Sequence, residues 1–153
     1  MPLLATRTDF GSFTSMPAPL GQSVRVLVVE DDPVQALILT LFLERMGVSA
    51  RHVSDGGHAI DAVQSHDYDI VLMDYQMPST NGLDATRAIR QWELAVGRPP
   101  VPIVAVTASA MKDECEGYLE AGMNGVLVKP FTARELRDVL MSHLAMEPQS
   151  KAL

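Results

Sequence analysis

Residues 69–74 read Asp-Ile-Val-Leu-Met-Asp, four apolar side chains in succession with an acid at each end. The run has strand length and no alternation, so both of its faces need cover. That is the signature of a parallel sheet held between two helical layers. The pattern recurs at Val24–Val29, Val101–Val106 and Gly125–Val128, and more weakly at Ala50–Val53. Between these runs lie stretches of helical periodicity. Pro33–Met46 closes at Gly47, Asp55–His66 carries Ala59, Ile60 and Val63 on one face, and Asn81–Val96 ends at Gly97-Arg98-Pro99-Pro100. Met111–Ala121 stops at Gly122, and Thr132–Ala145 opens with Thr132 and Glu135 in capping-box spacing. Five β-α units in this order predict an α/β fold, a five-stranded parallel sheet of the doubly wound, flavodoxin-like kind. The expected strand order is 2-1-3-4-5 with helices on both faces, which leaves the weak strand near residue 51 at an edge.

The 153 residues suit one domain with a sizeable core. Residues 1–23 are rich in Gly, Ser, Thr and Pro without sustained periodicity and read as a flexible leader. Residues 24–146 form the domain, and 147–153 a polar tail. A formal net charge of −7 and the lack of any basic run argue against a nucleic-acid surface. The single cysteine, Cys115, excludes an internal disulfide and a cysteine-built metal cage. No apolar run reaches the roughly 18 residues of a membrane span, and the first residues lack a secretory h-region, so the expected location is cytoplasmic. His52, His58, His66 and His143 are scattered without ligand spacing, and Trp92 carries no cofactor signal.

In sheets of this kind ligands bind beyond the carboxyl ends of the strands, where the winding reverses. The first strand ends in Glu30-Asp31-Asp32, the third in Asp74, the fourth in Thr107 and the fifth in Lys129-Pro130. In the expected order these ends converge. Clustered carboxylates without His or Cys favour Mg²⁺, or Mn²⁺, over zinc. A lysine and a hydroxyl beside them are what the outer oxygens of a phosphoryl group require, and an aspartate in such a place can attack phosphorus itself. Read alone, Asp32 before Pro33 is also a good helix N-cap with proline in the first turn, and Glu30 could simply end its strand.

Glu30-Asp31-Asp32, Met73-Asp74-Tyr75-Gln76-Met77-Pro78 with Asn81-Gly82, Thr107-Ala108-Ser109-Ala110, and Gly125-Val126-Leu127-Val128-Lys129-Pro130-Phe131 together resemble a receiver domain. This is the phosphoacceptor module of two-component response regulators and hybrid histidine kinases, and the motif style is nearest to receivers of hybrid kinases. The resemblance covers about residues 24–146. It implies Asp74 as phosphoacceptor, Asp32 and Asp74 as direct Mg²⁺ ligands, Asp31 acting through bound water, and the backbone carbonyl of Gln76 completing the set. It further implies Thr107 as a hydroxyl donor to the phosphoryl group, Lys129 as its counter-charge and partner of Asp74 beforehand, and a cis Lys129–Pro130 bond. Receivers often carry an aromatic residue three positions before the lysine, and here that position is Val126, which puts the usual coupling of the hydroxyl to an aromatic flip in question. The uncharged Gln76 and Ser109 fall where the family tunes hydrolysis of the acyl phosphate.

Helix Pro33–Met46 has two apolar arcs. Val34, Leu37, Ile38, Leu41 and Phe42 suffice to face the sheet. Ala36, Leu39, Leu43 and Met46 then remain, to be covered by the last helix or the leader, or to dock the helical phosphodonor domain of a histidine kinase or histidine phosphotransfer protein, with Leu39 and Leu43 as contacts. The reading that follows is a stand-alone receiver, a signalling domain and not an enzyme, acting by protein contact or onward phosphotransfer. The close alternative is the receiver fragment of a hybrid histidine kinase. A Mg²⁺-dependent aspartyl-phosphate phosphatase would need an acid two residues beyond Asp74, where Gln76 stands, and a flavodoxin would need a non-acidic phosphate loop after the first strand.

Overall fold

The computed structural model describes residues 24–75, 77 and 81–144. The leader 1–23, the tail, Gln76 and Pro78 lie outside the described residues. Five strands, β1 (Arg25–Val29), β2 (Ser49–Val53), β3 (Ile70–Asp74), β4 (Ile103–Thr107) and β5 (Gly125–Val128), form one parallel sheet in the order β2-β1-β3-β4-β5. The helices between and after them are α1 (Pro33–Arg45), α2 (Gly56–Ser65), α3 (Gly82–Val96), α4 (Lys112–Ala121) and α5 (Ala133–Leu144).

Every residue of β3 and β4 is buried, as an unalternating apolar run demands. The two faces of the sheet carry separate cores. Val26, Val28, Ile70, Leu72, Val104, Val106 and Leu127 pack beneath α1 and α5, joined by Leu39, Leu43, Leu136 and Leu140. Leu27, Val29, Val71, Met73, Ile103 and Ala105 face the other way and meet α2, α3 and α4 through Ala59, Val63, Ala85, Ile89 and Tyr118. Each fully buried aliphatic side chain contributes roughly 2 kcal/mol relative to exposure. Edge strand β2 has only exposed and half-buried residues, which accounts for its weak signal.

The facing of α1 is the reverse of the sequence expectation. Leu39 and Leu43 are 3% and 0% exposed and belong to the core, whereas Val34, Leu37, Ile38 and Leu41 are 64%, 58%, 46% and 46% exposed. Leu39 and Leu43 therefore cannot serve as docking contacts. Two apolar arcs of similar strength gave the pattern no preferred face, and fit against Val26 and Val28 selected between them.

The turns that aim the strand ends are equally specific. Gly82, the first residue of α3, lies so close to β3 that a Cβ there would come within 2.8 Å of the Asp74 carbonyl oxygen. Asn81 caps α3 by accepting the Asp84 N–H at 2.8 Å. The Lys129–Pro130 peptide bond is cis.

Candidate functional site

The carboxyl ends of β1, β3, β4 and β5 lie side by side, and their terminal side chains meet. Carboxylate oxygens of Glu30, Asp31 and Asp74 all fall within 4.8 Å of one another. The Lys129 ammonium stands 3.2 Å from Glu30 Oε1 and 3.6 Å from Asp74 Oδ1. Glu30, Asp74 and Thr107 are buried and Asp31 is exposed, so the cluster has a solvent-facing side. The β5 end is tied to the β4 end by the Lys129 N–H, which donates to the Thr107 carbonyl at 2.7 Å.

Asp32, expected as a direct metal ligand, does not join this cluster. Its Oδ1 accepts the Val34 N–H at 2.9 Å and the Gln35 N–H at 3.4 Å, so it is the N-cap of α1, with Pro33 in the first turn. A free helix N-terminus offers unsatisfied N–H donors at fixed positions, and the carboxylate nearest to them is spent there. Glu30, which the sequence left as an optional strand end, takes the inward place instead, with Oε2 accepting the Asp32 N–H at 3.2 Å. Asp31, expected to act through bound water, joins Asp74 in the cluster, and the Gln76 carbonyl lies outside the described residues.

Three carboxylates against one ammonium leave the cluster short of positive charge. Burial first, then a hydrogen bond with Asp74 and its charge, push the Glu30 carboxyl up to about 7, against the opposing pull of the Asp32 N–H and Lys129. A hard, all-oxygen donor set with an open side and surplus negative charge fits a divalent cation such as Mg²⁺. Glu30, Asp31 and Asp74 are the described residues that would hold it.

Thr107 sits at the end of β4 with a second layer behind it that the sequence did not disclose. Its Oγ1 accepts the Tyr118 hydroxyl at 3.1 Å and the Ser109 N–H at 3.2 Å. Tyr118, on α4, is 1% exposed and packs edge-on against Tyr75 with ring centroids 5.0 Å apart. Burial raises its phenol above the ordinary tyrosine value, so it stays protonated and able to donate. The only sequence signal for this residue was an aromatic side chain on an otherwise charged helix. His52, read as an ordinary surface histidine, is exposed, and its Nε2 lies 2.7 Å from the Glu30 carbonyl oxygen.

Comparison with known proteins agrees with this geometry. The family model described as the response regulator receiver domain matches residues 26–141. The sensor protein GacS of Pseudomonas syringae pv. syringae is 42% identical over 137 residues, which is 90% of this chain but 15% of that protein, so the chain spans a small part of the relative it matches. Among solved structures, the receiver domain of sensor histidine kinase PA1611 from Pseudomonas aeruginosa PAO1, determined with a magnesium ion coordinated in its active-site cleft, is 35% identical. It has a TM-score of 0.71, covering 81% of this chain and 99% of that one. The receiver domain of Saccharomyces cerevisiae Ssk1, crystallised with the histidine phosphotransfer protein Ypd1, is 29% identical with a TM-score of 0.78, covering 82% and 91%. A family match that runs from β1 into α5, on a sheet whose strand ends gather an acidic cluster, a lysine and a hydroxyl, leaves one assignment: the chain belongs to the response regulator receiver domain family, the receiving module of two-component signalling.

Proposed function

We propose that this receiver accepts a phosphoryl group on Asp74 from a phosphohistidine of a histidine kinase or histidine phosphotransfer protein. The observation that carries the reading is the Lys129 ammonium, poised 3.6 Å from Asp74 in a cluster that otherwise repels anions. One Asp74 carboxylate oxygen attacks phosphorus as the bond to the donor imidazole nitrogen breaks. The electron pair returns to the imidazole, and the product is an aspartyl phosphate. Glu30, Asp31 and Asp74 would hold Mg²⁺, which would supply charge neutralisation for the incoming phosphoryl oxygens, as would Mn²⁺ in the same place. Lys129 moves from its carboxylate partners to a phosphoryl oxygen, and the Thr107 hydroxyl donates to another. The Gln76 carbonyl is the expected backbone contribution to the metal.

The exposed arc of α1 is the proposed docking face for the donor. Val34, Leu37, Ile38 and Leu41 are exposed, and Ile38 also lines a groove of about 460 Å³ that continues past Gln35, Phe42, Pro130 and Phe131 to Glu30 and Lys129. A donor helix seated there would bring its histidine to the acidic end. The complex of the related Ssk1 receiver with Ypd1 supports a histidine phosphotransfer protein as the class of partner. We read the chain as a single-domain regulator, with residues 24–146 as the domain, working by protein contact or onward transfer. The match to a part of a sensor protein favours, as the second reading, a receiver module of a hybrid kinase.

Incubation with acetyl phosphate and Mg²⁺, followed by intact mass, should add one phosphoryl group. Chelation of Mg²⁺ or Asp74→Asn should abolish it, and a gain that survives Asp74→Asn would sink the proposal.

A further inference from the structure

We propose that Tyr118 is a positioning residue for the phosphoryl site, acting through Thr107 from α4. The proposal rests on the phosphoacceptor reading above and deepens it. A threonine hydroxyl offers one donor and two acceptor sites. Both acceptor sites of Thr107 are engaged, by the Tyr118 O–H at 3.1 Å and the Ser109 N–H at 3.2 Å. The hydroxyl proton is thereby turned away from both donors and has a single use, donation to a third oxygen. Thr107 ends β4 beside Asp74 on β3, whose register partner is Val106, so an acceptor on Asp74 is the one that donation would serve. A chain Tyr118 O–H to Thr107 O–H to phosphoryl oxygen also polarises each link, which strengthens the last one.

Three further observations fix Tyr118 in that role. Its ring is almost completely buried and packed edge-on against Tyr75, the residue after Asp74, so the phenol is held against the strand end that carries Asp74. Its hydroxyl oxygen lies 3.4 Å from the Ser109 carbonyl, a longer contact that shares the one phenol proton and keeps the loop between β4 and α4 close to the same point. On β5, three residues before Lys129, stands the small Val126, packed against the same core cluster as Tyr118. The aromatic partner of the hydroxyl therefore comes from α4 and not from the sheet. A shift of Thr107 toward a phosphoryl group must then stretch or follow the Tyr118 bond, which links the site directly to α4.

The test is a double-mutant cycle on the full chain, with beryllofluoride in the presence of Mg²⁺ as the phosphoryl mimic. Tyr118→Phe keeps the ring and deletes the hydroxyl. It should weaken beryllofluoride binding about tenfold with Thr107 present and less than twofold in a Thr107→Ala background, while Mg²⁺ affinity is unchanged. Thr107→Ser, which keeps the hydroxyl, should restore the sensitivity to Tyr118→Phe. Equal losses in the Thr107 and Thr107→Ala backgrounds, or no loss in the first, would overturn the proposal, because a tyrosine that merely packs has no reason to depend on Thr107. If the unsubstituted protein binds no beryllofluoride, the phosphoacceptor reading falls and this proposal with it. Binding with additive losses removes the relay alone.

Discussion

Glu30 concentrates the electrostatic tension of the molecule, because it is buried beside Asp74 with one lysine to share. Its folded carboxyl, pushed up from 4.5 to about 7, binds protons more tightly than in the unfolded chain. Its contribution to stability is therefore complete below about pH 4.5 and is lost as the pH rises through about 7. Without metal, urea unfolding of the wild type relative to Glu30→Gln should show the wild type losing ground between about pH 5 and 8, and a gain over that range would contradict the assignment. At Gly82 the crowding is steric. Gly82→Ala should cost about 1–3 kcal/mol and slow labelling of Asp74, since the new methyl group meets the Asp74 carbonyl. At this scale the sequence told only part of the story. It listed Asp31, Asp74, Thr107 and Lys129 at strand ends that the fold places side by side, and it saw that Asp32-Pro33 makes a good cap. It could not weigh the cap against the metal, because that competition is decided by the direction in which α1 leaves β1.

Among the elements, α1 divides its work by face. Leu43 is fully buried, so Leu43→Ala should cost roughly 2–5 kcal/mol in chemical denaturation. Leu37→Asp and Leu41→Asp, on the exposed arc, should leave stability within about 0.5 kcal/mol while slowing transfer from a phosphorylated phosphotransfer protein. Labelling by acetyl phosphate should be unaffected in both, and an equal loss with the small donor would count against a docking role. The helix itself was legible, as its bounds Pro33–Arg45 agree with the periodicity to within a residue. Its rotation was not, since both arcs are apolar and only the partner surface distinguishes them. Tyr118 was hidden for a related reason. Its hydroxyl acquires meaning from Thr107, eleven residues away in sequence and on another element.

For the whole molecule, the order of the sheet followed from four continuous apolar runs and one weak one, since burial on two faces and an edge strand leave few ways to wind the chain. Among the described residues no helix is long and apolar enough to cross a membrane. Because the acidic cluster is assembled from separate strands, a cation that binds it binds only the folded state. Mg²⁺ at about a hundred times its dissociation constant should add about 2.7 kcal/mol, a rise of roughly 5–10 °C in melting temperature that Asp31→Asn removes. The central claim concerns one atom group on that assembled face, the carboxylate of Asp74. Borohydride trapping of the acyl phosphate after treatment with acetyl phosphate and Mg²⁺, followed by peptide mass mapping, locates the modified side chain. Reduction at Asp74 alone is the expected result, and reduction at Asp31, at Asp32 or at no aspartate would contradict the account.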